Sequence, residues 1–329
     1  MALLKKNVYF VNGYAFFYFS ALSFLRQIMK YSLLTAIVLF SFFACTKEQK
    51  AETLAYKSRD YREVKLRLDT LNAKLQAEAD STGTFTFPYT DLVNGKKHLI
   101  FFGASHTRDL EHPQFLQIEN AFRKMKPEIA FNEGGQIPET LSYPTLDSAV
   151  RGNGETGLLK YLCDVSGIKM MNGDMEDIQE FAELQKTIPK DQIYLYMAIE
   201  RYLNGYKKGY FPSISLEEGW NTKFIPYLRR SDFKLTPEEE SLDSLKKIYK
   251  HYLQKDFSID SLMEVQEYYL INDGLLGDVG RATKIARDQA LLQKIDNALD
   301  QYDKVFVVFG GSHRVAVEPA LKQIIDKKR

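Results

Sequence analysis

Lys97-His98-Leu99-Ile100-Phe101-Phe102-Gly103-Ala104-Ser105-His106 and Lys304-Val305-Phe306-Val307-Val308-Phe309-Gly310-Gly311-Ser312-His313 repeat one pattern, with Lys, Phe, Gly, Ser and His in the same places. Each opens with a continuous apolar run stopped by glycine, which is how a strand buried on both faces of a parallel sheet reads. Glu128–Asn132 and Ile168–Met171 are shorter strand candidates, each followed by a glycine, Gly134 or Gly173. Helical patterns lie between them. The order strand, helix, strand, helix, strand predicts an α/β fold, a mainly parallel or mixed central sheet flanked by helices.

From Asp177 to about Arg281 the pattern is largely helical, with stretches near 191–207, 237–255 and 260–271 punctuated by Pro212, Pro226 and Pro237. Gly274, Gly277 and Gly280 read as a loop before a helix at roughly 282–301, and a closing helix is expected from about Glu318. Lys47–Ala79 reads as a tether and then a helix packing a stripe of Leu66, Leu68, Leu71 and Leu75, ended by Asp80-Ser81-Thr82-Gly83. The expected organisation is a tether and helix over 45–80, then a single α/β domain over 81–329 with a helical insertion at about 177–281.

The repeated element suggests a site. A buried parallel strand delivers its C-terminal end to the crevice where α/β sheets bind ligands, and glycine there permits a sharp turn and close approach. A histidine three residues past the glycine projects from the loop into that crevice. The chain has only 5 histidines, so two at matching points of two such units argue for a shared purpose. Neutral imidazole is a common ligand for zinc, iron, copper and manganese, which makes His106 and His313 candidate ligands of a divalent metal ion. The alternative is that each histidine caps a helix or bonds a backbone carbonyl.

Phe131-Asn132-Glu133-Gly134-Gly135 places an acid at a third strand end, and Glu133 is a candidate metal ligand or the base that takes a proton from water. The loop His106–Pro113 adds His112 as a further ligand or proton donor, Arg108 as a partner for an anionic substrate, and Asp109. No Walker loop, GxSxG elbow, HExxH or GxGxxG competes with this reading. Ser105 and Ser312 are poor nucleophile candidates, because adjacent residues on an extended turn generally point apart from their histidines. Tyr194, Tyr196, Tyr202, Tyr206 and Tyr210 read as helix packing or as the rim of an organic ligand's site, and Cys163 as a small buried hydrophobe.

Strand-GxxH, an acid after a following strand, a helix bearing Arg-Asp and a second strand-GxxH occur here as Gly103–His106, Phe131–Gly134, Ala286-Arg287-Asp288 and Gly310–His313. That order resembles the superfamily joining the TraB/PrgY, GumN and Tiki proteins with the erythromycin-esterase and ChaN-like proteins, over about residues 97–320. The resemblance implies an α/β fold in which both histidines and the acid converge. It implies metal-dependent peptide cleavage in one branch, ester cleavage in another and haem or iron handling in the ChaN branch, to which His112-Pro113-Gln114-Phe115 is nearer. On this reading Glu133 and Arg287 are catalytic, Arg287 stabilising an oxyanion or orienting Glu133, with Asp288 as a further candidate.

Met29-Lys30, the uncharged run Tyr31–Phe43 and Ala44-Cys45 resemble a bacterial lipoprotein signal over 29–44, with Cys45 the lipidated residue. Residues 1–28 then read as a mis-assigned start upstream of Met29, since Lys30 completes the signal's charged end; the alternative is a membrane hairpin of two short helices. With 45% apolar and 26% charged residues and a net charge of +1, the composition suits a globular domain and carries no nucleic-acid footprint. Two functions follow as expectations: an envelope metallohydrolase of peptide or ester bonds, held to a membrane by a lipid anchor, or a lipoprotein that captures haem or iron without hydrolysis.

Overall fold

The two repeated stretches lie side by side at the centre of a five-stranded sheet. The computed structural model describes residues 56–83, 85–262 and 272–328; the expected signal at 29–44, Cys45 and residues 1–28, expected as a mis-assigned start, lie outside them. The strands are β1 (Tyr89–Asn94), β2 (Lys97–Ala104), β3 (Ile129–Asn132), β4 (Lys169–Asn172) and β5 (Lys304–Gly310), in the order β1-β2-β5-β3-β4. Neighbours pair in parallel except β1, which runs antiparallel to β2 at the edge. The chain is therefore a mixed α/β fold, and β5 returns from far along the sequence to sit between β2 and β3.

Leu99, Phe101, Val305, Val307 and Phe309 pack on one face against helices α1 (Tyr61–Thr82), α10 (Leu275–Gln301) and α11 (Gly311–Lys327). Ile100, Phe102, Phe306 and Val308 pack on the other against α2 (Gln114–Met125) and α3 (Leu146–Ser166). Full burial of each such side chain is worth about 1.5–3 kcal/mol, which makes these runs the anchor of the sheet. Cys163 on α3 is fully buried in the second cluster.

Between β4 and α10 run α4 (Asp177–Leu184), α5 (Lys190–Met197), a π segment (Ala198–Leu203), α6 (Asn204–Lys207), α7 (Leu216–Gly219), a second π segment (Trp220–Phe224), α8 (Ile225–Arg230) and α9 (Leu242–Leu253). They share an aromatic core of Tyr194, Tyr202, Trp220 and Phe224, joined by Leu276 and Val279 of α10. Tyr194, Tyr196 and Tyr202 pack as expected, while Tyr210 is exposed. Among the described residues no helix is long and apolar enough to cross a membrane.

Four local expectations need correction. The closing helix starts at Gly311, seven residues earlier than expected, so His313 sits on its first turn and not on a loop. Gly277 and Gly280 lie inside α10, which begins at Leu275. Helix α1 docks through Tyr61, Val64 and Leu75, whereas Leu66 is exposed. The strand β1 was not expected: it alternates exposed and buried residues and joins β2 through Gly95, whose φ of 60° suits a tight turn after Asn94. Of the expected helix at 260–271, residues 263–271 lie outside the described ones.

Candidate active site

The adjacent strands β2, β5 and β3 end beside one another, and His106, His313 and Glu133 follow those three ends. This is the carboxyl edge of a parallel sheet at the point where strand order reverses. A Cβ built on Gly310 would lie 3.1 Å from Glu133 Oε2, and 3.7 Å from both His106 Nε2 and His313 Cδ2. The two imidazoles are thus no more than twice that last distance apart. Glu133 is 3.8 Å from His106 Nε2 through Oε2 and 3.6 Å from His313 Nε2 through Oε1.

Each histidine presents the same nitrogen, because a carboxylate holds the other. His313 Nδ1 is 2.6 Å from Asp288 Oδ1, and the Tyr61 hydroxyl donates to Asp288 Oδ2 at 2.8 Å while lying 3.1 Å from the same Nδ1. His106 Nδ1 is 2.5 Å from Glu155 Oε1. Glu155 reaches it because α3 is kinked at Asn153-Gly154. Gly154 has a φ of 55°, and a Cβ there would lie 2.5 Å from the Thr107 carbonyl oxygen, so only glycine lets the His106 loop press so close.

Glu133 is fixed from two sides. The Gly310 N–H donates to Oε2 at 2.6 Å and Arg287 Nη2 donates to Oε1 at 2.9 Å. Arg287 also grips Asp174 with Nε and Nη2, both at 2.6 Å. Buried and committed in this way, Arg287 holds the Glu133 carboxylate in place. Lys284, one turn earlier on α10, sets its Nζ 3.3 Å from His313 Nε2.

Burial, with help from the Lys284 and Arg287 charges, pushes the His313 imidazole well below its ordinary range and keeps it neutral. Burial likewise raises the Asp288 carboxyl, to about 8, and lowers Lys284, Arg287 adding to the effect. His106 moves the other way: the Glu155 hydrogen bond and the nearby Glu133 charge raise it.

The remaining expected residues are elsewhere. Arg108 and Asp109 are exposed on the loop, and Asp109 Oδ1 accepts from the Glu111 N–H. The His112 ring packs between Phe87 and Phe115, with centroids at 5.0 and 6.2 Å. Glu155, Asp174, Lys284 and Tyr61 belong to the cluster without having been expected. Asp174 had a signal, an acid following Gly173 at a strand end as Glu133 follows Asn132, and Glu155 had one in the Gly152-Asn153-Gly154 break of a helical pattern. A cavity of about 610 Å³ opens beside α1 and α11, lined by Leu66, Leu71 and Val315 with Arg59 and Arg314. None of the three convergent residues lines it, and the titratable groups define the chemical site better.

The donor chemistry fits a divalent ion: two neutral-capable imidazoles, each steadied by a carboxylate, and a third carboxylate between them. Yet among the described residues no group of three or more His, Cys, Asp and Glu side chains is arranged to hold a metal ion. The physical reason is on the same atoms, since Glu133 already accepts from Arg287 and Gly310, and His313 Nε2 faces an ammonium. No family model matches the chain, and no similar curated protein or solved structure is found.

Proposed function

We propose that the chain is a hydrolase of ester or peptide bonds that works at Glu133, His106 and His313 with a divalent metal ion. The observation that carries this reading is the pair of carboxylate-held histidines whose Nε2 atoms both face Glu133. Metal-ligating histidines almost always give their second nitrogen to such a partner, which sets the tautomer and the ring orientation. An ion bound there would polarise the scissile carbonyl and lower the pKa of water.

The chain's own residues supply the rest. Asp288 and Tyr61 hold His313, Glu155 holds His106, and Arg287 with the Gly310 N–H keeps Glu133 between the rings. Glu133 is then the base for the attacking water. With 65% of its side chain exposed, His106 marks the side from which substrate arrives. The carboxylates beside both rings favour a small hard cation, and so polar a setting does not suit haem, which wants an apolar slot.

The test is hydrolysis of an ester and peptide panel by the full-length chain with added divalent metals. Glu133→Gln is expected to lower the rate by about 10²–10⁴, the usual worth of a general base. No hydrolysis with any metal, or a rate indifferent to Glu133→Gln, would overturn the proposal, and stoichiometric haem uptake in its place would favour the binding protein. The envelope setting is part of the proposal and rests on Ala44-Cys45; equal fatty-acid labelling of wild type and Cys45→Ala in cells would end it.

A further inference from the structure

Lys284, Arg287 and Asp288 are spaced three and four residues apart on α10, so the helix turns all three toward one place. Arg287 and Asp288 are committed there: the first grips Glu133 and Asp174, the second holds His313 Nδ1 and Tyr61. Lys284 is placed differently. Its Nζ is 3.3 Å from His313 Nε2, the ring nitrogen that Asp288 leaves free and that faces Glu133 at 3.6 Å.

That nitrogen offers one lone pair. A metal ion bound to it would stand about 2.0–2.1 Å away, and an ammonium donating to the same lone pair cannot stay. The two cations also repel one another, and both are drawn by Glu133. Arg287 is not in this competition, since it is buried and its Nε and Nη2 are held by Asp174 and Glu133. Lys284 has a flexible four-carbon stem, is only partly buried and makes no contact with Arg287's partner Asp174, so its ammonium can turn away from His313 without breaking the Arg287 contacts.

We propose that Lys284 is a built-in counter-cation of the site, holding His313 Nε2 beside Glu133 until a divalent ion takes its place. This deepens the metal reading of the site and rests on it. Metal binding here is an exchange of one positive group for another: the ion must displace the ammonium, and the ammonium returns when the ion leaves. The exchange weakens affinity, keeps Glu133 and Asp288 beside a positive charge in the metal-free protein, and discriminates against monovalent ions, whose single charge gains nothing over the one displaced.

The experiment is zinc(II) titration calorimetry on chelator-treated full-length protein, comparing wild type with Lys284→Met, Lys284→Arg and His313→Ala. Lys284→Met is expected to bind zinc roughly 10- to 100-fold tighter, the size of effect that groups around a metal site commonly exert, and Lys284→Arg no tighter than wild type. Cobalt(II) absorption spectra of wild type and Lys284→Met should coincide, since the donors are the same. Lys284→Gln serves if the methionine variant does not fold. Equal or weaker zinc binding on removal of the charge overturns the counter-cation role and leaves the metal reading standing. Zinc binding by neither protein, or binding indifferent to His313→Ala, overturns both.

Discussion

The two Gly-x-Ser-His elements are alike in sequence and unlike in place. His106 follows β2 on a loop and is 65% exposed, whereas His313 follows β5 on the first turn of α11 and is 1% exposed. Strand register widens the difference. Gly103 pairs with Phe309 and Ala104 with Gly310, one residue out of step with the sequence alignment. Paired residues share a face and successive residues alternate, so the equivalent glycines Gly103 and Gly310 face opposite sides of the sheet. A Cβ on Gly103 would meet Arg314 Nε at 2.9 Å and Gly311 Cα at 3.2 Å; one on Gly310 would meet Glu133 and both histidines. One glycine makes room for a helix, the other for the site. A repeated motif need not carry a repeated role, because the chain that follows it and the register beneath it decide what its residues touch.

The largest expected effect separates the two histidines. His313→Ala leaves a buried cavity and takes a hydrogen-bond partner from the buried Asp288, and should cost about 2–5 kcal/mol of stability. His106→Ala also takes a partner from a buried carboxylate, Glu155, but leaves a space open to water, and should cost less, about 1 kcal/mol. Urea unfolding of both variants checks this, and equal losses would erase the contrast.

The glycines give the next test. Gly103→Ala should destabilise by about 1–3 kcal/mol, since a methyl group there is overpacked against α11, and should change hydrolysis little. Gly310→Ala should cost less stability but lower hydrolysis on the order of 10-fold, because Glu133 must shift by a fraction of the 1 Å displacement that costs about 10². Unfolding midpoints and rates measured together would reveal a reversal.

The smallest effect is in titration. In metal-free protein His106 should titrate above the ordinary histidine value near about 6.5, and His313 well below it. Glu155→Gln should bring His106 back down, which an NMR titration of the imidazole signals reads directly. The sign for stability follows: the charged His106 stabilises the fold fully below its unfolded value, and that contribution disappears as pH rises through the raised folded one. Coincident titration of the two histidines would contradict the asymmetry.

Much of the sheet was legible from residue order. The β2 and β5 runs are apolar on both faces, and only a doubly covered strand tolerates that. The edge strand β1 was missed because Thr90, Asp91 and Asn94 break its apolar pattern, although Asn94-Gly95 carried a turn signal. The start of α11 was missed because Gly-Gly reads as a loop, whereas here Gly310 ends the strand and Gly311 opens the helix without a side-chain cap. At the site, His106, His313, Glu133 and Arg287 are brought together as expected, with Asp288 beside them. His112, Arg108 and Asp109 are not, since the loop leads into α2 after Pro113, packing the His112 ring beside Phe87 and Phe115 and leaving Arg108 and Asp109 exposed.

Sequence alone determined that two buried strands end in histidines and a third in an acid, because strand burial and glycine stops are local properties written in neighbouring residues. Tertiary structure alone decided that β5 returns between β2 and β3, that Glu155, Asp288 and Tyr61 steady the rings, and that Lys284 faces His313. Those contacts join residues up to 252 positions apart, and no local preference specifies a partner at such a distance. Packing of helices on the sheet specifies it, by leaving one arrangement in which the apolar faces are covered and the buried charges are paired.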